Sequence, residues 1–537
     1  MEMAVLQCVS TFLCIAIFLF GYVYVKLVQK YSYWQKRGYP FVQPHIIFGN
    51  LKEVILRKVY SGEEYLRLYR IFKQCRVGGF YRFFVPSILI ADPEIIKMCL
   101  TREFDSFHSR GTEGKVKHEP IRCHLINLER DRWQQLKRCL TPAFSITKIK
   151  SMAPIMGECG QKMNQVLEQL MAQNGGEVEL QDITSRYSID VIGTCAFGLK
   201  LQSLTEHNSK FRHMGKQIFR LSKLSMLKMI TSVVAPNLYN LLRLRLVSAE
   251  VTQFFTDIVK ETVAYRQKNG ITRNDFLDLL IRAKQKSGAG CSDSQEIKAD
   301  ERNTSTPPIS EEIKRGVKDT RLDMEINSEV MVAQCFVFFI AGYETSSSVL
   351  SFSLYELALN LKMQTKLQGE IDKIIQENYA IISFQAVQQM HYLDKVVLET
   401  LRKYPPIGAI MRKCNKRVRI PNSDMTIEPN EKIVISSYAL HHDPDIYPNP
   451  HIFDPERFNA SNKALRHHFS YLPFGEGPRG CIGRNFGLMQ VKIGLISLLS
   501  RYNFSLSPKT IIPVKLDPKS TIISSKDGIT LRVTKRT

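Results

Sequence analysis

The fold class that the sequence predicts is mainly α with a minor β portion, preceded by one N-terminal transmembrane helix. Three observations lead to it: an apolar run from Met3 to Val25, a long stretch of helical period framed by short strand signals, and a lone cysteine between a Gly- and Pro-rich loop and a helix-like run. Hydrophobic residues at 44% and charged residues at 23% suit a folded body, which disfavours disorder, collagen and a multi-spanning membrane protein.

In the apolar run only Gln7, Ser10 and Thr11 interrupt, and no charge occurs before Lys26. Since about 20 apolar residues span a bilayer, residues 1–25 are expected to be a membrane anchor. Glu2 ahead of the run and Tyr22, Tyr24 and Lys26 closing it do not fit a cleaved signal peptide. Lys26, Lys30, Lys36 and Arg37 place the following chain in the cytosol by the positive-inside rule, with Tyr31, Tyr33 and Trp34 as an interfacial belt. Residues 26–50 are expected to form a basic hinge in which Pro40, Pro44 and Gly49 make a stiff exit from the membrane, and 51–537 form the body.

In the body, Gly79 to Asp92 reads as two strands about a Pro86-Ser87 turn, and helical period follows. Residues 284–323 change to Ser, Gly, Thr, Pro and mixed charge, as in a mobile surface loop. Near the end, Thr521 to Ser524 and Ile529 to Val533 flank Lys526-Asp527-Gly528 as a hairpin signal. Seventy-four Lys+Arg against 51 Asp+Glu leave +23, so an acidic partner is expected: nucleic acid, anionic lipid or an acidic protein. Twelve scattered cysteines without a Cys-x-x-Cys pair exclude a zinc ribbon or a disulfide scaffold. His441-His442-Asp443 and His467-His468 lack the i, i+4 spacing of a zinc site and are expected in loops.

The chemistry concentrates in the segment from Phe474 to Gly483. Cys481 would stand at the amino end of the run Arg484 to Leu499, where free N–H groups and the helix dipole favour a thiolate. Gly477, Gly480 and Gly483 would let the backbone approach a flat macrocycle, and Arg479 could pair with a propionate. Gly475-x-Gly477-x-x-Gly480 also spells a dinucleotide fingerprint, but Pro473 and Pro478 and the lack of any acid from Asn485 to Leu506 refuse it.

With Phe474, Gly477, Arg479, Cys481 and Gly483 at every fixed position of Phe-x-x-Gly-x-Arg-x-Cys-x-Gly, the chain resembles the cytochrome P450 superfamily. Further motifs extend the resemblance. Glu399-Thr-Leu-Arg402, with Arg457 in Phe453-Asp-Pro-Glu-Arg-Phe458, looks like the family's structural Glu-Arg-Arg triad. Ala341-Gly342-Tyr343-Glu344-Thr345-Ser346 lies in a long apolar run too polar at its middle for a membrane span, hence on a buried central helix. The resemblance makes it the oxygen-binding kink: Ala341 and Gly342 line the haem, while Thr345 and Glu344 hold water and relay protons. Trp133 and Lys137 stand where relatives hold a propionate, Lys137 replacing the usual Arg, and Arg412 is a further candidate.

The resemblance thus implies the cytochrome P450 fold, with 51–537 as a haem-thiolate catalytic domain and haem b (iron protoporphyrin IX) ligated by Cys481. It implies a monooxygenase that inserts one atom of O₂ into lipophilic substrates, xenobiotic or endogenous. Electrons would come from NADPH through a separate flavoprotein reductase, with cytochrome b5 as a second donor. The wording Phe336-Val-Phe-Phe-Ile-Ala-Gly-Tyr-Glu-Thr-Ser-Ser looks like the microsomal branch that holds insect detoxification enzymes, which implies a single-pass protein of the endoplasmic reticulum membrane. The +23 charge is then assigned to membrane lipid and to a basic face of Lys137, Arg138, Lys148, Lys150, Arg484 and Lys492 that docks the reductase, with no nucleic acid partner. The alternatives are a haem-thiolate isomerase or dehydratase that needs no O₂, and a non-enzymatic haem-binding sensor.

Overall fold

A computed structural model describes residues 2–536 apart from 112–118, 200, 207–208, 220–221, 274, 289–325 and 380–381. The body is built around one helix, Ser328–Leu359, whose start is capped by the Asn327 side chain accepting the Val330 N–H at 2.9 Å. This helix is long and apolar enough to cross a membrane, yet it is buried among its neighbours and is a core helix. Against it pack the helices Leu180–Phe197, His391–Lys403 and Arg484–Leu499, and Ile146–Gln173 backs the first and third of these three. Where apolar helices meet at close range, buried hydroxyls bond one another: Thr184 Oγ1 lies 3.0 Å from Ser347 and 2.9 Å from Ser351, and Ser185 lies 2.9 Å from Ser347.

The β portion is small. In chain order the strands are β1 (Val77–Arg82), β2 (Val85–Ile90), β3 (Glu177–Glu179), β4 (Ile410–Lys413), β5 (Val418–Arg419), β6 (Thr426–Ile427), β7 (Lys432–Ile435), β8 (Tyr502–Leu506) and β9 (Thr530–Lys535). They make sheets of order β1-β2-β7-β4, β3-β9-β8 and β5-β6, with only the β2–β7 pairing parallel. The first hairpin turns earlier than expected, at Phe83 with φ of 56°, and Pro86 falls inside β2. A proline is tolerated there because β7 pairs only with Ser87 to Leu89. The C-terminal hairpin does not form as expected: β9 pairs with β8 and β3, while Lys526–Gly528 belongs to a loop closed by Ser525 Oγ donating to the Gly528 carbonyl.

The helix Phe276–Gly288 runs through the first residues of the expected mobile loop, and the rest of that stretch, 289–323, lies outside the described residues. Nor are both histidine pairs in loops. His441 ends the short helix Ser437–His441 and is fully buried.

At the N terminus one helix runs from Glu2 to Tyr31, and Leu6, Phe12, Leu13, Ile17, Phe18 and Tyr22 stand exposed on it. The residues after it do not form a hinge. Trp34 is 0% exposed and donates its indole N–H to the Phe80 carbonyl at 3.2 Å, so it is a core residue under β1 and not part of an interfacial belt. Tyr31 donates to the Ile46 carbonyl at 2.8 Å, Tyr33 donates to Glu431, and Tyr39 donates to the Thr426 carbonyl at 2.7 Å. Arg37 closes the group as the ion-pair partner of Glu431. The aromatic cluster that suits a membrane interface suits a sheet cover equally well, and composition alone does not tell them apart. In a chain lacking residues 1–25, Trp34→Ala is therefore expected to lose about 3–5 kcal/mol, as for a fully buried large aromatic. Chemical denaturation checks it; a loss under about 1 kcal/mol would return Trp34 to the lipid.

Candidate active site

Backbone bonds brace the loop that carries Cys481 from within. The Cys481 N–H donates to the Phe474 carbonyl at 2.9 Å, and the Gly480 N–H to the Gly477 carbonyl at 2.9 Å. Gly477 has φ of +71°, and a Cβ there would stand 2.0 Å from the Leu100 carbonyl oxygen. The loop is pressed so closely against residue 100 that this packing by itself requires glycine. Gly483 differs, since a Cβ would meet only the Phe144 ring at an ordinary 3.7 Å. Three residues after the cysteine the helix Arg484–Leu499 begins, and the Arg484 guanidinium lies 5.6 Å from the Phe474 ring centre.

The Cys481 side chain keeps accessible surface within the surrounding protein. Burial pushes its thiol up. The Gly483 N–H and the charges of Arg110, Arg484 and Lys137 pull the other way, the arrangement expected where a thiolate must be stabilised.

On the central helix, between Val330 and Ala358, only Ile340, Ala341, Gly342 and Thr345 are not buried. They form one strip, and beside it Ser346 Oγ donates to Gln490 Oε1 at 3.4 Å, tying this level of the helix to the one that follows Cys481. The helix stays continuous through the expected kink, and Thr345 Oγ1 donates to the Ala341 carbonyl at 2.6 Å. Gly342 answers to packing as well as to the cleft, because a Cβ would come 2.9 Å from the Ile192 side chain. Glu344 is on another face: it is buried, and Gln181 Nε2 donates to its Oε1 at 3.3 Å. Sequence reasoning joined Glu344 and Thr345, whereas a step of one residue on a helix turns them about 100° apart.

A group of cations lies beside Cys481. Arg479 sits 4.1 Å from the Trp133 ring centre and gives Nε to the His108 carbonyl at 3.0 Å, Nη1 to Leu125 at 3.3 Å and Nη2 to Leu128 at 2.7 Å. These bonds pin the backbone at His108, Leu125 and Leu128. Lys137 donates to the Pro478 carbonyl and lies 5.5 Å from the Trp133 ring centre. Burial, then the nearby Arg479 and Arg110, bring its ammonium down to about 8. Arg412, 3% exposed, donates Nη1 to its neighbour's carbonyl at 2.8 Å, and burial and then Arg110 bring its guanidinium down to about 9. Arg110 donates Nη2 to the Arg479 carbonyl at 3.0 Å, and burial lowers it too.

Arg110 is the residue that sequence reasoning missed. Nothing in Ser109-Arg110-Gly111 distinguishes it from a surface arginine. Among the described residues, Lys137, Arg110 and Arg412 form no ion pair with a carboxylate, and Arg412 Nε is buried without a partner. Desolvated cations that repel one another need an anion of more than one charge. The two propionates of haem fit that donor set, and a lone accessible cysteine thiol in the same cleft fits its iron.

Behind the loop, Arg402 makes a two-pronged pair with Glu399 at 2.7 and 2.8 Å, both side chains fully buried, and Arg457 Nε stands 3.5 Å from Glu399. The three side chains expected as a structural triad are thus brought together in one buried group. The proposed basic face loses two members: Lys492 is buried in an ion pair with Asp394 at 2.5 Å, and Lys137 points into the cation group. Arg138 and Lys150 are exposed.

The family model described as Cytochrome P450 matches residues 40–306 and 294–532. Probable cytochrome P450 6a13 of Drosophila melanogaster is 39% identical over 512 residues, which cover 95% of this chain and 96% of that protein. Probable cytochrome P450 6a14 of the same fly is 37% identical over 518 residues, 96% of this chain and 97% of that protein. Cytochrome P450 6k1 of Blattella germanica is 33% identical over 514 residues, 96% of this chain and 95% of that protein.

Proposed function

The chain belongs to the cytochrome P450 family, a haem b monooxygenase with a cysteine thiolate ligand, and from that premise we propose that it oxidises lipophilic small molecules, xenobiotic or endogenous, with electrons that a separate flavoprotein reductase draws from NADPH. Cytochrome b5 is a second donor in this reading. Residues 1–25 hold the enzyme in the endoplasmic reticulum membrane as a single span, with the body in the cytosol; the exposed apolar side chains of the Glu2–Tyr31 helix support this.

The observation that carries the reading is the accessible strip of Ala341, Gly342 and Thr345 on a helix otherwise buried, at the level tied to the helix of Cys481. Haem on a thiolate supplies the reductive cleavage of O₂. Lys137, Arg110 and Arg412 hold its carboxylates and lose their mutual repulsion in doing so. The apolar wall of Ile340 and Ala341 turns a lipophilic substrate toward the reaction and sheds water. Thr345 supplies the one hydroxyl on the strip, able to hold a water and pass it a proton; Glu344 reaches the cleft only by rotating away from Gln181.

Reconstitution with NADPH and a reductase in lipid tests the proposal: product should require all three, and product formed from NADPH without reductase would overturn the electron route. In the same assay Thr345→Ala should keep haem and NADPH consumption while product per NADPH falls about tenfold and peroxide rises, since positioned proton transfer is worth at least that much. Unchanged coupling would show that the hydroxyl is not used.

A further inference from the structure

We infer that His441 is a positioning residue for the cysteine loop, linking the Glu399–Arg402 pair to Cys481 through the backbone of Leu472; the inference rests on Cys481 being the iron ligand. His441 is fully buried, and its Nε2 accepts the Leu472 N–H at 2.9 Å. That contact leaves the proton on Nδ1, which donates to the Arg402 carbonyl at 3.1 Å. Burial keeps the imidazole's pKa well below its ordinary value, so the ring is neutral, as an acceptor at Nε2 must be.

The histidine is held in turn. Its carbonyl accepts Arg402 Nη1 at 2.8 Å, so Arg402 and His441 bond each other in both directions. Its ring stacks on Tyr471 at 5.2 Å between centres, and the Tyr471 hydroxyl donates to the Leu398 carbonyl at 2.8 Å, one residue before Glu399. From Leu472 the chain enters the loop at once. The Leu472 carbonyl accepts the Gly475 N–H at 3.2 Å, and the Phe474 carbonyl accepts the Cys481 N–H at 2.9 Å. A shift of Leu472 therefore moves the carbonyl that sets the height of Cys481. Hydrogen bonds run from Arg402 through the His441 imidazole to Leu472, and the backbone from Leu472 to Phe474 carries the link on to the Cys481 N–H, with His441 as its middle member.

Two substitutions separate positioning from a merely structural role. In His441→Gln the amide oxygen reaches the place of Nε2 and accepts the Leu472 N–H, while the Arg402 contact is lost. In His441→Asn the amide nitrogen keeps the place of Nδ1 and donates to Arg402, while the Leu472 N–H is orphaned. Each loses one hydrogen bond and the ring stack, so a structural role makes their thermal stability and their spectra fall together. Positioning makes them diverge: in reduced, carbon monoxide-bound holoprotein at equal folded fraction, the thiolate band should decay about tenfold faster in His441→Asn than in His441→Gln, from a buried N–H left unsatisfied. Equal decay, or faster decay in the Gln variant, overturns the inference. If the Asn variant retains no haem, the Gln variant decides: a band within about twofold of the parent's lifetime supports the link, and one about tenfold shorter refutes it. A parent protein with no thiolate band would instead overturn the Cys481 assignment, before any variant is made.

Discussion

Cys481→Ser should fold, yet show no thiolate band in its reduced, carbon monoxide-bound form and less than about one thousandth of the parent's turnover, because a hydroxyl cannot replace the anionic sulfur that directs O₂ cleavage. Folding is expected to survive because the bonds Cys481 N–H to Phe474, Gly480 N–H to Gly477, Lys137 to Pro478 and Arg110 to Arg479 do not use the thiol, and a serine hydroxyl can accept the Gly483 N–H in its place. The change in size is small, and the side chain keeps accessible surface. Haem should still be retained in part, because the hold proposed for Lys137, Arg110 and Arg412 on its carboxylates does not pass through the thiol. Absorption spectra, haem content and circular dichroism of one preparation check all of this. A thiolate band in the Ser variant would mean that another cysteine ligates the iron; burial pushes the Cys99, Cys335 and Cys195 thiols up, with only Arg412 at the first and Arg266 at the second as opposing charges, where Arg110, Arg484 and Lys137 oppose it at Cys481.

How much of this was legible in the sequence depended on whether a residue's partner is local. Cys481, Gly477 and Arg479 fall within one short loop, so a linear pattern finds them. The central helix was legible because a run apolar on every face, broken by Glu344 and Thr345, has no place but a core. Trp34 was misread because its partner, the Phe80 carbonyl, lies on a strand far along the chain, and nothing near Trp34 distinguishes a sheet from a lipid headgroup. Arg110 escaped for the same reason: its meaning comes from Arg479, Lys137 and Arg412, three separate elements. His441 was set aside as a loop residue because its two ring contacts, Arg402 and Leu472, are equally remote in sequence. The C-terminal hairpin failed on competition, since Tyr502–Leu506 offers β9 a longer partner than Thr521 to Ser524 does.

Arg402→Leu is expected to lower stability by about 3–5 kcal/mol, the usual penalty for leaving one member of a buried ion pair alone. Both partners are 0% exposed, and Glu399 would keep only the Asp454 N–H at 3.0 Å and Arg457 at 3.5 Å. Removing both charges often restores stability where a pair is held only by mutual attraction. Here it should not. Arg402 also donates to the His441 carbonyl at 2.8 Å and the Ile452 carbonyl at 3.4 Å, so the double variant Glu399→Leu with Arg402→Leu leaves those buried oxygens unsatisfied and the Asp454 N–H without its acceptor. Arg402→Lys should recover little, because one ammonium cannot span two carboxylate oxygens and two carbonyls as a guanidinium does. Denaturant titrations of the three variants, followed by haem release and by circular dichroism, separate the possibilities. Full recovery in the double variant would reduce the triad to an isolated ion pair, and its bonds to His441 and Ile452 would then contribute nothing measurable; persistent loss, with haem leaving before the helices unfold, is the outcome that the bonded path from Arg402 to the cysteine loop requires.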